Sequence, residues 1–138
     1  MKSIALLFTH SISLYKWKNA GLIGREIQYY KFLSKQGFLI NFLTYGDKSE
    51  EKLIKDRKIK VIFSELELFK KFIPIKVIRV VFQILFIVNK ASKLDIIKTN
   101  QIKSSLPALI LKKLFGKPFF LRIGYEPYMN RICASKRN

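Results

Sequence analysis

A chain of 138 residues has room for one domain of ordinary size, and at 49% hydrophobic with 14% aromatic residues it is too apolar for a disordered segment. A single cysteine, Cys133, and a single histidine, His10, exclude an intramolecular disulfide framework and a tight Cys/His metal cluster. With 27 Lys and Arg against 9 Asp and Glu the formal charge is +18, which attracts phosphates, acidic lipid headgroups and nucleic acid alike.

The basic residues are spread along the chain, with the fullest cluster from Lys52 to Lys60. A merely solvated basic surface and a specific anionic partner therefore both stay open. Nucleic acid is not expected, because there is no zinc motif, no RNP-like aromatic pattern and no dense arginine cluster.

Taken in order, Ile4–Phe8 is a continuous apolar run that predicts a strand buried on both faces. A polar loop, His10 to Gly21, follows. Ile23, Ile27, Tyr30 and Leu33 then recur at helical spacing, with Gly37 placed to end the helix after Gln36. Phe38–Thr44 reads as a second strand, closed by Gly46-Asp47. Lys48–Lys58 is charged and solvated, with room for a helical turn, and Ile59–Phe63 is a short third strand.

Ile75–Lys90 predicts an unusual helix. Lys76, Arg79, Gln83 and Lys90 form one narrow polar stripe and leave most of the circumference apolar. Such a helix is either buried on several sides or lies on a membrane interface, and cover for the sheet is the expectation. Asp95–Thr99 is a fourth strand. Ser105 is placed to cap a helix over Leu106–Phe115, which tolerates Pro107 in its first turn and stops at Gly116. Pro118–Ile123 is the fifth strand. Residues 1–123 thus form one α/β domain, and 124–138 a basic tail. Strands alternating with helical segments imply a parallel, doubly wound sheet in the order 3-2-1-4-5.

The stretch Phe72–Asn89 is broken by Pro74, Lys76 and Arg79, whereas spanning a bilayer needs about 20 consecutive apolar residues. The five apolar residues before Thr9 are too few for a secretory signal, so the expected compartment is cytoplasmic.

Ligands of doubly wound sheets bind beyond the carboxyl ends of the strands, near the point where strand order reverses. That rule selects Thr9 and His10 after the first strand, Asn100 and Gln101 after the fourth, and Arg122, Gly124, Tyr125 and Glu126 at the end of the fifth. Gly21 and Gly24 open the first long helix, where backbone N–H groups can approach an anion; a tight loop that merely turns the chain is the alternative. Neither a dinucleotide fingerprint nor a Walker A sequence is present. His10 carries the one side chain whose ordinary pKa suits proton transfer near neutrality, and a structural histidine is the competing reading. Glu126 is a candidate base or hydroxyl acceptor, or else an exposed turn residue before Pro127.

The run Gly21-Leu-Ile-Gly24-Arg25-Glu26, then Tyr30-x-x-Leu33-x-x-Gln36-Gly37 and Leu39–Thr44, resembles the N-terminal Rossmann-like domain of GT-B glycosyltransferases, in particular glycosyltransferase family 4. Asp95-Ile-Ile-Lys-Thr-Asn-Gln101 and Lys117-Pro-Phe-Phe-Leu-Arg122-Ile-Gly124-Tyr125 look like the fourth and fifth strands of that domain. The resemblance implies retaining transfer of a sugar from a nucleotide-sugar donor, with no cofactor and no required metal. This domain would hold a glycan or lipid-linked acceptor, and a second domain carrying a Glu-x7-Glu motif would hold the donor. It also implies association with an anionic membrane surface, peripheral at the cytoplasmic face. These 138 residues do not contain the donor-side motif, and the chain stops before that N-terminal domain would be complete. Gly124 falls where many relatives place a histidine, so no catalytic residue is carried over. Arg25 joins the candidate acceptor- or phosphate-binding residues. A truncated product without activity and a basic non-catalytic module remain alternatives.

Overall fold

The computed structural model describes residues 2–64 and 76–122, so the expected tail from 124 to 138 lies outside the described residues. Five strands form one parallel sheet in the order β3-β2-β1-β4-β5: β1 Ser3–Leu7, β2 Leu39–Thr44, β3 Ile59–Phe63, β4 Ile96–Thr99 and β5 Phe119–Phe120. Helix α1 spans Leu14–Asn19, α2 Ile23–Lys35, α3 Lys76–Ser92 and α4 Ser105–Phe115, with a 3-10 helix at Lys48–Leu53. The doubly wound α/β arrangement expected from the apolar runs is the one present.

Pairing aligns Leu6 with Phe42 and Lys98, Phe42 with Val61, and Lys98 with Phe120, so these five side chains share one face of the sheet. Helix α2 covers it, and the Tyr30 ring meets the Phe42 ring edge-on at 5.0 Å. The opposite face carries Ala5, Leu7, Leu43, Ile97 and Phe119 and is covered by the paired helices α3 and α4. Each layer closes a core whose central strands β1 and β2 are almost wholly buried.

Three expectations change. The loop from His10 to Gly21 contains a helix, α1, started by Ser13, whose hydroxyl accepts from the Lys16 amide at 3.3 Å. Only Leu14 and Trp17 of α1 are buried, too few to produce a visible period. The fifth strand pairs over Phe119–Phe120 alone within the described residues, instead of Pro118–Ile123. The helix expected to be capped by Ser105 starts there instead, with Ser104 at the cap position.

Helix α3 is divided along its length. Its last two turns cover the sheet through Ile87, Val88 and Ala91, whereas Val77, Val81 and Leu85 before them are 71%, 48% and 54% exposed. The expectation that this helix serves as sheet cover holds for only part of it. One member of its polar stripe turns inward, Gln83 at 1% exposed, while Lys90 stays exposed.

Gly46, after β2, has no room for a side chain, because a Cβ there would lie on the Glu50 carboxylate. That carboxylate is fully buried and accepts from the Thr44 hydroxyl at 2.7 Å and the Tyr15 amide at 3.3 Å. Gly46→Ala must displace a buried charge from both donors, and a loss of about 2 kcal/mol in urea unfolding is expected. A variant within about 0.5 kcal/mol of the parent would show that the carboxylate has an easy alternative position.

Candidate functional site

The chain beyond β1 is shaped by its caps. The Gly21 amide donates to the Lys18 carbonyl at 3.0 Å and the Leu22 amide to that of Trp17 at 2.8 Å, closing α1 in a Schellman turn with Gly21 at φ 68°. Gly21 therefore ends α1 and aims the chain into α2, as the turn-forming alternative requires. Gly24 lies in the first turn of α2 with open space about it. The turn places Trp17 and Leu22 beside Arg25 and Glu26.

These four residues, with Asn100, Gln101 and Arg122, line a cleft of about 210 Å³ beyond the carboxyl ends of β1 and β4. It lies where strand order reverses, since β1 is flanked by β2 on one side and β4 on the other. The Asn100 amide continues the β4 ladder by donating to the Leu7 carbonyl at 2.8 Å. Gln101 accepts from the Thr9 hydroxyl at 3.4 Å and is held at the next turn by the Ser104 hydroxyl, which donates to its carbonyl at 2.6 Å. The Arg122 amide donates to the Thr99 hydroxyl at 3.0 Å, fixing the end of β5 against that of β4.

Across the cleft the Arg122 guanidinium grips Glu26 with both nitrogens, Nη1 to Oε2 at 2.5 Å and Nη2 to Oε1 at 3.0 Å. Arg25 adds a contact to Oε1 at 3.2 Å. The Arg122 hydrogen bonds hold the Glu26 carboxyl below its ordinary range, outweighing the upward pull of burial. Glu26 in turn holds the Arg122 guanidinium above its ordinary value. A larger groove of about 530 Å³ shares Arg25, Glu26 and Arg122 and adds Tyr29, Lys98, Phe120 and Leu121. The Lys98 ammonium lies 4.1 Å from the Tyr29 ring centre and 5.1 Å from that of Tyr30. The groove lining thus holds three cations, Arg25, Lys98 and Arg122, and one carboxylate, Glu26, a net positive charge.

Of the residues expected from sequence, Arg25, Asn100, Gln101 and Arg122 come together in this cleft, and Thr9 supports it through Gln101. His10 does not line it. Its Nε2 donates to Gln83 Oε1 at 3.1 Å and its Nδ1 accepts from the Ser11 hydroxyl at 3.0 Å, while its ring meets Tyr45 edge-on at 5.0 Å. Gly124, Tyr125 and Glu126 lie outside the described residues. Glu26, Trp17, Leu22, Tyr29 and Lys98 are the site residues that the carboxyl-end rule passes over. Glu26 closes the run that carries the resemblance and is a scarce acid in the first turn of a helix, in a chain with nine acids in all.

Among the described residues no group of three or more His, Cys, Asp or Glu could hold a metal ion. The cleft offers guanidinium and amide donors, one neutralised carboxylate and an aromatic wall, a set suited to hydroxyl-rich or anionic groups. No protein-family model matches the chain, and no curated protein matches it.

Proposed function

We propose that this chain is the acceptor-side part of a retaining glycosyltransferase that uses a nucleotide sugar, acting in synthesis of a cell-surface polysaccharide or glycolipid. The observation that carries the reading is the cleft at the β1/β4 switch point, with Asn100, Gln101 and Arg122 converging from two strand ends on a neutralised Glu26. Side-chain amides and a carboxylate can hydrogen-bond the hydroxyls of a saccharide. The acceptor is a glycan or a lipid-linked saccharide, and the nucleotide-sugar donor belongs to a second domain. The place of action is the cytoplasmic side of a membrane, with peripheral attachment.

Stabilising the departing nucleotide diphosphate requires groups placed around it, and on this reading they come from the donor-side domain. The purified 138-residue chain is therefore expected to bind acceptor saccharides in saturation-transfer NMR without releasing nucleotide diphosphate from nucleotide sugars. Gln101→Ala, at an exposed position in the cleft wall, is expected to weaken saccharide binding about fivefold, the loss of about one hydrogen bond. Diphosphate release above a denatured control would overturn the assignment of the donor groups to another domain, and absence of saccharide binding would overturn the acceptor role.

A second reading, an anion-binding module without catalysis, draws on three cations, Arg25, Lys98 and Arg122, against one carboxylate in the groove lining. Binding of inorganic diphosphate together with indifference to saccharides would favour it.

A further inference from the structure

His10 lies outside the cleft, yet it belongs to an arrangement of its own. The Ile12 amide donates to the Thr9 carbonyl at 2.9 Å and closes a tight turn after β1, with His10 and Ser11 at its two middle positions. Ser11 has φ 65° and is the only residue other than glycine with a positive φ among the described residues. That backbone region favours glycine or asparagine, and a turn by itself has no need of serine there. The Lys16 ammonium anchors the turn by donating to the Ser11 carbonyl at 2.6 Å. Residues strained in this way persist where the surrounding structure holds them, and they cluster at functional sites.

The strained serine is coupled to the histidine. Ser11 Oγ donates to His10 Nδ1 at 3.0 Å, and His10 Nε2 donates to Gln83 Oε1 at 3.1 Å. Gln83 is buried by the protein's own packing: it is 1% exposed, and no helix among the described residues is long and apolar enough to cross a membrane. Its Nε2 has no hydrogen-bond partner among the described residues. Burying this amide therefore costs free energy, and its oxygen is spent on His10. The bond keeps the imidazole proton on Nε2 and leaves the Nδ1 lone pair directed at the serine hydroxyl. A hydroxyl, a base within hydrogen-bond reach and a third group that orients the base are the parts of a nucleophilic serine. Ser11 also stands on a tight turn between a strand, β1, and a helix, α1, the setting in which a strained serine presents its oxygen.

We infer that Ser11 is a nucleophile toward activated acyl esters, with His10 as its general base and Gln83 as the residue that positions His10. As the Ser11 oxygen bonds to the acyl carbon, its proton passes to His10 Nδ1. The tetrahedral intermediate then breaks its bond to the alcohol oxygen, which departs with that proton and leaves an acyl-serine. Water completes the reaction: one proton goes to Nδ1, the hydroxide joins the acyl carbon, and Ser11 Oγ departs and recovers the proton. Gln83 is neutral, so it sets the tautomer without balancing the charge of an imidazolium. Turnover is therefore expected to be slow, and covalent labelling is the sensitive readout. His10 and Ser11 are both exposed, open to an ester approaching from solvent. This site shares no residue with the cleft and does not rest on the transferase reading.

The test is labelling of the full folded chain with diisopropyl fluorophosphate, in which the serine oxygen displaces fluoride from phosphorus, read by intact mass and peptide mapping. An adduct on Ser11 is expected, and it should be absent from the chain denatured in urea. Ser11→Gly relieves the backbone strain, so this variant is expected to fold and to carry no label in the turn. His10→Ala is expected to slow labelling about a hundredfold, within the usual range for a general base. Gln83→Leu separates positioning from packing. It removes the unpaired buried amide, so labelling is expected to slow at least about tenfold while the urea midpoint stays level or rises. Three results would each overturn the inference. Absence of an adduct on Ser11 in the folded parent would mean that the hydrogen bond merely holds the turn. Equal labelling of the parent and His10→Ala would mean that Ser11 reacts as an ordinary exposed hydroxyl. A lower urea midpoint in Gln83→Leu with undiminished labelling would make the Gln83 bond structural.

Discussion

Phe42→Ala is expected to destabilise the domain by about 3–5 kcal/mol, the usual cost of removing a buried aromatic ring, out of a total of about 5–15 kcal/mol. Phe42 has no exposed surface and lies at the middle of a ring cluster on the α2 side of the sheet. Its ring centre is 5.0 Å from Tyr30, 5.9 Å from Phe8 and 6.3 Å from Trp17. The cavity cannot be filled from β1 or β3, whose neighbours Leu6 and Val61 are fixed in register. Water entering it would find one unpaired polar group. The Tyr30 hydroxyl has no hydrogen-bond partner, and burial already pushes its pKa above the usual range. The loss should also reach the cleft, because Trp17 lines it and Tyr30 shares α2 with Arg25 and Glu26. Trp17 is the only tryptophan, so its emission reports this site directly. Urea unfolding followed by that emission should show a lower midpoint and a red-shifted native baseline. A cost under about 1 kcal/mol would mean that the rings repack around the gap.

How much of this was legible in the sequence depends on the range of the interaction. The strands were legible because burial of the sheet forces largely apolar runs: Ile59–Phe63 is observed at its expected bounds despite the exposed Lys60, and β1, β2 and β4 shift by a residue or so. Gly37 was legible because a helix C-terminus selects glycine locally, and its φ is 92°. Helix α1 was hidden because six residues with two buried side chains give no period, although Ser13 was a cap in plain sight. The orientation of α3 was hidden for a different reason. A polar side chain on a helix ordinarily faces solvent, and the inward partner of Gln83, His10, is 73 residues earlier. The site follows the same division. The carboxyl-end rule found Asn100, Gln101 and Arg122 because topology alone places them. Glu26 escaped it, since its partner Arg122 is 96 residues away and no local pattern links the two. His10 obeyed the rule and still fell outside the cleft, because Gln83 and Tyr45 hold its ring beside α3 and β2.

The Glu26–Arg122 pair carries the second large expected effect. Arg122→Ala leaves a carboxylate whose side chain is 10% exposed with only Arg25, itself 72% exposed, to balance it. Breaking a fully buried pair costs about 3–5 kcal/mol. The Arg122 side chain is 36% exposed, so water screens part of the interaction and a loss of about 2 kcal/mol at neutral pH is expected. Arg122→Lys should recover little, because an ammonium cannot hold both carboxylate oxygens in the same fork. The pH dependence separates this account from a general loss of packing. The folded chain holds the Glu26 carboxyl below its ordinary value of 4.5 through Arg122. The unfolded chain therefore binds more protons in the interval below that value, and stability rises with pH across it. The contribution is complete above about pH 4.5 and is lost as the pH falls through the folded-state pKa. Asp47 and Asp95 are also held low, by hydrogen bonds from Ser49 and Ser3, but these act equally in parent and variant. The difference between the two stability curves thus isolates Glu26. It should be widest near neutrality and shrink as the medium is acidified below pH 4.5. Urea midpoints for parent and Arg122→Ala taken between about pH 3 and pH 7 measure it directly. Curves that stay parallel over that range would show that Arg122 acts through its alkyl stem and the end of β5, with no net electrostatic hold on Glu26.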